Sequence, residues 1–382
     1  MEAGAAPRNI NPLHQYSRSR KPLRWAICIV LGTLAILALT GQSYGPDPIR
    51  RTSSGAKAKY LTPAKLMERP ISKDLQTVPK LFHQSWSSNE LPAKFQRWST
   101  SCRQQHPDWE YILWTDEDNE KLVATHFPWL LSTYQALPGV IYKADLARNL
   151  YMYMFGGVYA DLDVECLRPS DELFKRYNVS TVSHAKPRPM STYNLQKNGR
   201  KAFFGRMGVD TEEANSIPNA WMASTPGHPF FLIVLEHVMR TMHEGTSDEG
   251  PEDTTGPALL FNKINEYLAE DGKFRGENMD KWVSKNPTAK QFTPRRGLGH
   301  SVEVLPFQYI FPYSWQRDGE AVRDVCWATR RSFSAERCKL LLATDHWPSY
   351  AITYWSHTWA GEGHDEGNVD HLNFDEEKEQ QH

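Results

Sequence analysis

The 382-residue chain has almost no charge imbalance, few cysteines and a single long stretch without charge. Lys and Arg number 44 against 45 Asp and Glu, a net charge of -1, so nothing electrostatic favours nucleic acid as a partner. The five cysteines contain no C-x-x-C pair, which removes the commonest zinc spacing. Cys28 lies in an apolar run, and Cys102, Cys166, Cys326 and Cys338 form an even set. Cys326 and Cys338 close a short loop that a disulfide would span, and buried thiols or disulfides both remain open for the set. No internal repeat is visible. Length and composition allow one large domain or two modest ones.

The charge-free stretch is WAICIVLGTLAILALTG, from Trp25 to Gly41. As a helix it would span about 25 Å, close to the thinner membranes of the early secretory pathway. Arg18, Arg20, Lys21 and Arg24 precede it, the first positive charge after it is Arg50, and no clean A-x-A cleavage site ends it. These features predict an uncleaved signal anchor with its amino terminus in the cytosol, rather than a cleaved signal peptide. The expected organisation is a cytosolic tail at 1–24, an anchor at 25–41, a stem rich in Gly, Pro, Ser and Lys at 42–76, a lumenal domain at 77–360 and an acidic disordered tail at 361–382. The sequon Asn178-Val179-Ser180 is compatible with a lumenal domain.

Along the body, short apolar strands alternate with helical periods. Strands are expected at Lys80 to Gln84, Tyr111 to Trp114, Val158 to Asp161 and Val179 to Ser183. Helices are expected at Ala93 to Gln105, Asp116 to His126, Tyr142 to Phe155 and Pro229 to Met242. This pattern predicts an α/β fold with a mostly parallel sheet covered on both faces, whose ligands collect at the carboxyl ends of its strands. Most of the thirteen tryptophans are expected in the core, and aromatic faces also line carbohydrate and base sites.

The segment YKADLARNLYMYMFGGVYADLDVECLRP, from Tyr142 to Pro169, concentrates the chemistry. An apolar, aromatic run suits a buried helix, Gly156 and Gly157 permit a tight reversal, and Val158 to Val164 alternates as a strand does. On such a strand Asp161 and Asp163 would share one face and could hold a hard divalent cation through one or two oxygens. Asp-x-Asp alone says little, because Asp116 and Asp118 form a second copy that reads as the acidic first turn of an exposed helix. Asp145 and Arg148, three residues apart, fall on one helix face at the edge of apolar surroundings. They read equally as an ion pair or as a site pair directed at the carboxylates.

The run from Asp145 to Pro169 resembles the D-x-x-R and G-G-x-Y-x-D-x-D signature of family 32 glycosyltransferases, the DXD sugar-binding group that includes fungal α-1,6-mannosyltransferases and inositolphosphoceramide mannosyltransferases. Pro79 to Trp86, His106 to Asp116, Asn219 to Pro229, Thr255-Gly256-Pro257 and His357-Thr358-Trp359 also resemble family segments, over roughly residues 78–360. The resemblance implies a GT-A-like domain and assigns roles residue by residue. Trp86 would stack on the nucleotide base. Asp145 and Arg148 would bind the donor sugar, Asp161 the ribose and sugar hydroxyls, and Asn219 the transferred sugar. Asp163, with Asp161, would bind the metal, and His357 or Trp359 would close the site, His357 as a further ligand or as an interface histidine.

The implied activity is transfer of a sugar from a nucleotide sugar, GDP-mannose first, with Mn²⁺ or Mg²⁺ and with retention of configuration. The expected acceptor is a glycan in the Golgi or endoplasmic reticulum, with a sphingolipid such as inositolphosphoceramide as the alternative. Three other classes share parts of the motif. A haloacid dehalogenase phosphatase would need a downstream acidic pair that is absent. An EF-hand would place Asp161, Asp163, Glu165 and Glu172 at positions 1, 3, 5 and 12, but Cys166 stands where glycine is required. A non-catalytic carbohydrate-binding membrane protein would use the same groups without turnover.

Overall fold

The computed structural model describes residues 59–183, 199–245, 250–269 and 299–356. Backbone contacts divide the chain into units at 1–52 and 53–382, and the first lies outside the described residues. So do the expected anchor at 25–41 and tail at 361–382. Among the described residues, no helix is long and apolar enough to cross a membrane.

Among the described residues, eleven strands follow in chain order: β1 (Lys59–Tyr60), β2 (Val78–Pro79), β3 (Leu81–Ser85), β4 (Glu110–Trp114), β5 (Gly157–Ala160), β6 (Val164–Cys166), β7 (Thr181–Val182), β8 (Arg200–Gly205), β9 (Trp221–Ser224), β10 (His300–Leu305) and β11 (Ala351–Thr353). Seven of them build the central sheet in the order β1-β4-β3-β5-β9-β8-β10. Every pairing in it is parallel except the two that β9 makes, with β5 and β8. The expectation of a mostly parallel α/β sheet therefore holds.

Both faces of this sheet are dry, as the alternation of side chains shows. Leu81, Ile112, Trp114, Tyr159, Phe204 and Met222 face one apolar cluster, which the helices Asp116–His126, Val140–Met154, Phe230–Glu244 and Pro257–Ala269 cover. Their strand neighbours Phe82, Tyr111, Val158, Phe203 and Ala223 face the other, with the helix Ala93–Gln105. A period of two along each strand thus serves two helical layers. Helices Ala93–Gln105 and Asp116–His126 have the bounds expected from their periods.

Two expectations need correction. β1 joins the sheet edge beside β4, and Leu61 and Leu66 are buried, so the expected stem at 42–76 includes residues that belong to the folded body. The reason is that Leu61 and Leu66 carry enough apolar surface to pack against the sheet's first face. The strand expected from Val158 to Val164 is also broken. β5 ends at Ala160, Val164 N donates to Asp161 O at 3.2 Å, and residues 161–163 form a turn before β6.

Both even-set cysteine pairs are disulfides, Cys102–Cys166 and Cys326–Cys338. The first ties the helix Ala93–Gln105 to β6; the second joins the helices Arg323–Cys326 and Ala335–Leu341. Asn178 is exposed and adopts a left-handed φ of 58°, just past the helix Ser170–Arg176.

Three buried histidines are held neutral by the bonds they accept, and His300 is half-buried beside them. His83 Nδ1 accepts from Trp114 Nε1, His106 Nε2 from Ser170 N and His228 Nδ1 from Phe230 N, while His300 Nδ1 shares a hydrogen bond with the Tyr267 hydroxyl. Burial pushes His83 down to about 3 and His106 to about 4. Burial, with Arg200 nearby, pushes His300 to about 4 and His228 well below its usual range. All four folded values lie below the unfolded value of 6.5, so the unfolded chain binds more protons in the interval between. Their stabilising contribution is complete above that value and is lost as pH falls, at up to ~1.4 kcal/mol per pH unit for each ring. Urea unfolding at pH 7.5 and pH 5.0 should show a stability lower by at least ~2 kcal/mol at the acid value; an unchanged midpoint would contradict this account.

Candidate active site

The helix Val140–Met154 is buried along its second half and ends at a double-glycine reversal. Gly156 N donates to the carbonyls of Tyr151 and Met152, closing the helix, and Gly156 and Gly157 take φ of 65° and 96°. These are left-handed conformations that side chains resist. Space is denied as well: a Cβ on Gly157 would sit 2.4 Å from Leu81 O, and one on Gly156 would sit 2.7 Å from Ser224 O. The reversal sends the chain directly into β5, between β3 and β9. Its far end carries Asp161 to the same edge as the helix residues Asp145 and Arg148.

Arg148 is the centre of the site. Its guanidinium lies 3.0 Å from Asp145 Oδ1 and 3.1 Å from Asp161 Oδ1, and Nη1 donates to Asn219 O at 3.0 Å. It also lies over the Tyr159 ring, 4.8 Å from the centroid. Asn219 Nδ2 closes the circuit by donating to Asp145 Oδ1 at 2.9 Å, and the Tyr159 hydroxyl donates to Asp161 Oδ1 at 2.6 Å. Asp145 and Arg148 are each only 5% exposed. Asp145 and Arg148 thus pair with each other, and Arg148 also reaches Asp161.

Burial raises the Asp145 carboxyl to about 6, against the opposing pull of Arg148. Asp161 is also raised, by burial and then by Asp163, with Arg148 opposing; its side chain keeps 31% exposure to the cleft, so its desolvation is partial. Arg148 stays charged well above its usual range despite burial, because anionic Asp161 and Asp145 surround it.

The turn at 161–163 separates the two carboxylates by role. Asp161 N donates to Ala220 O at 2.8 Å and Gln84 Nε2 donates to Asp161 O at 3.2 Å, which fixes the turn to β9 and β3. Asp163 Oδ2 accepts from Ser356 N at 3.0 Å and from Ser356 Oγ at 2.8 Å. Among the described residues, Asp163 Oδ1 and Asp161 Oδ2 accept no hydrogen bond. These hard oxygens suit Mg²⁺ or Mn²⁺. No group of three or more His, Cys, Asp or Glu gathers among the described residues, so an ion there would rely on this pair and on oxygens of a bound molecule.

A cleft of about 740 Å³ contains Trp86, Asp145, Arg148, Asp161, Asp163 and Asn219 together. It opens beyond the carboxyl ends of β3, β4 and β5, where a doubly covered sheet collects ligands. His357 and Trp359 lie outside the described residues, although Ser356 lines the cleft beside them in sequence. Gly256, of the Thr255-Gly256-Pro257 segment, packs against the site: a Cβ there would be 3.2 Å from Asp145 Oδ2. The EF-hand alternative fails on geometry, since Glu165 turns away to Lys339 Nζ at 2.8 Å.

Sequence reasoning missed Tyr159, Ser356, Glu252, Trp315, Trp327 and Trp355, which also line the cleft or hold its residues. Tyr159 had a visible signal, since it stands two residues before Asp161 in the stretch that alternates as a strand. Ser356 had none, because its contact depends on a separation of 193 residues.

Residues 92–180 match the model of the family described as glycosyltransferase sugar-binding region containing DXD motif, which bears out the resemblance read from the sequence. Inositol phosphoceramide mannosyltransferase 3 of Schizosaccharomyces pombe is 34% identical over 163 residues, 43% of this chain and 38% of that protein. The initiation-specific alpha-1,6-mannosyltransferase of the same organism is 23% identical over 271 residues, 63% of this chain and 64% of that one. The chain thus spans less than two thirds of the length of either relative. Among solved structures, the PaToxG glycosyltransferase aligns at 15% identity and a TM-score of 0.35, over 56% of this chain and 78% of that one, too low a similarity to identify a GT-A fold.

Removing the central cation should leave the buried Asp145 and the half-buried Asp161 carboxylates without their shared counter-charge. Arg148→Met is expected to cost about 3–5 kcal/mol in urea unfolding at pH 7.5. Without the guanidinium, both folded carboxyl values rise further above their unfolded ones. The penalty is complete above the folded values and shrinks as pH falls and protons neutralise the pair. The difference between variant and wild type should therefore be smaller at pH 5 than at pH 7.5; a penalty independent of pH would refute the electrostatic origin.

Proposed function

We propose that the chain is a metal-dependent glycosyltransferase that moves a sugar, mannose from GDP-mannose, onto a glycan acceptor with retention of configuration. The observation that carries this reading is one cleft holding both the Arg148-centred network and the uncommitted Asp163 oxygen, with Trp86 at its side. In this reading the folded body, which adds β1, Leu61 and Leu66 to the expected 77–360, is the catalytic domain, lumenal in the Golgi or endoplasmic reticulum and held by the 25–41 anchor.

The chemistry needed is departure of a nucleoside diphosphate from C1. A Mn²⁺ or Mg²⁺ ion held by Asp163 and Asp161 would supply positive charge to offset the negative charge developing on the diphosphate. Trp86 offers an apolar face to the base. Asp145 Oδ2 and Asn219 offer polar groups to the sugar hydroxyls, and Arg148 keeps Asp145 and Asp161 ionised and in place as the sugar gains positive character. His357 and Trp359 would complete the carboxyl side.

A sphingolipid acceptor is the second reading. It is favoured by the similarity to relatives such as inositol phosphoceramide mannosyltransferases 3 and 1 of Schizosaccharomyces pombe. A non-catalytic carbohydrate-binding protein would bind donor without releasing sugar.

A thermal-shift screen of GDP- and UDP-sugars, with and without Mn²⁺, tests the donor site. A donor at 100 times its Kd should add about 2.7 kcal/mol to the wild type and much less to Asp163→Ala. Equal stabilisation of both, or of neither, would defeat the metal-bridged donor site. Sugar release in the same samples separates an enzyme from a binding protein.

A further inference from the structure

The second Asp-x-Asp is not consumed by its helix. Thr115 and Asp118 form the capping box of Asp116–His126, and Asp116 takes no part in it. Instead Asp116 lines the same cleft as Trp86, half-buried beside Ile141 and Ala144. No described residue hydrogen-bonds its carboxylate, which burial pushes up and the Lys143 charge pulls down. A charged group partly withdrawn from water, against apolar walls and without a donor, is costly unless something else supplies one.

Its position identifies the supplier. Trp86 N donates to Trp114 O at 2.9 Å, so Trp86 and Asp116 leave the ends of adjacent strands side by side. Arg148, Asp145 and Asp161 gather at β5, with β3 between it and β4. Two strand spacings put these ends of the cleft roughly 10 Å apart, on the order of the length of a nucleoside diphosphate.

Resting on the donor site proposed above, we propose that Asp116 reads the nucleobase and selects guanine over uracil. Guanine presents N1–H and its 2-amino group side by side, and one carboxylate accepts from both. Uracil presents a single N3–H between two carbonyl oxygens, which repel a carboxylate on either side. Xanthine replaces the 2-amino group by a carbonyl and would suit an amide better than a carboxylate.

Calorimetric titration of the full chain with GDP, IDP, UDP and XDP, each with Mn²⁺, tests this. The wild type should prefer GDP to UDP, and GDP to IDP, which lacks the 2-amino group. Asp116→Asn should weaken GDP by about 10–100-fold and strengthen XDP, while Asp118→Asn, at the cap, leaves the GDP to UDP ratio unchanged. Equal loss of GDP and UDP in Asp116→Asn, with no gain of XDP, overturns the proposal by reducing Asp116 to a ribose or folding contact. A wild type that prefers UDP, with binding abolished in Asp163→Ala, overturns the guanine assignment and leaves the donor site standing. A wild type that binds no nucleoside diphosphate defeats the donor site and this proposal with it.

Discussion

The site depends on one buried guanidinium. Burying Arg148 is unfavourable in itself, and the structure offsets that with two carboxylates, a backbone carbonyl and an aromatic face. Each of those partners comes from a different segment: the helix at Asp145, the turn at Asp161, the entry to β9 at Asn219 and β5 at Tyr159. The cation thereby ties together residues up to 74 apart in sequence, as the Asn219–Asp145 bond illustrates. Its Nε alone finds no hydrogen-bond partner among the described residues. Removing any one partner would leave charge uncompensated in a dry place, so the network constrains itself.

The carboxyl-terminal part of the domain reaches this centre by a separate route. β11 runs antiparallel to β6, with Thr353 opposite Val164, and the chain leaving β11 brings Ser356 onto Asp163. β6 is itself pinned to the helix Ala93–Gln105 by Cys102–Cys166, while Cys326–Cys338 braces the helices beside Trp327. Closing loops of these lengths contributes about 4 and about 3 kcal/mol respectively in the chain-entropy account. The disulfides therefore stiffen the wall that holds Asp163, where a three-residue turn links β5 to β6 and both sheets share one apolar cluster.

How much of this was legible in the sequence varies with the range of the interaction. The helix at Asp116–His126 could be read because its cap, acidic first turn and period are all local. Gly156 and Gly157 could be read as a reversal for the same reason. The strand through Asp161 and Asp163 was misread because alternation alone cannot show where a ladder ends; Ala220 and Gln84 end it, from distant parts of the chain. The antiparallel β9, the burial of Leu61 and Leu66, and the seat of Ser356 are likewise tertiary choices. Asp116 falls between the two cases: its helix was legible, but its exposure to the cleft depends on Trp86 and Ile141 arriving from elsewhere.

The turn also changes what the Asp-x-Asp motif means. On a strand, both carboxylates would face one way and be interchangeable. In the turn they divide: Asp161 spends one oxygen on Arg148 and Tyr159, inside the network, whereas Asp163 is held by a serine hydroxyl and amide that add no charge. The negative charge of Asp161 is largely answered by the protein, while that of Asp163 is answered only by neutral dipoles. A cation entering the cleft would therefore gain more from Asp163 than from Asp161. Asp161 is then the residue that registers the turn against the Arg148-centred network, and Asp163 the one whose charge is left for a ligand.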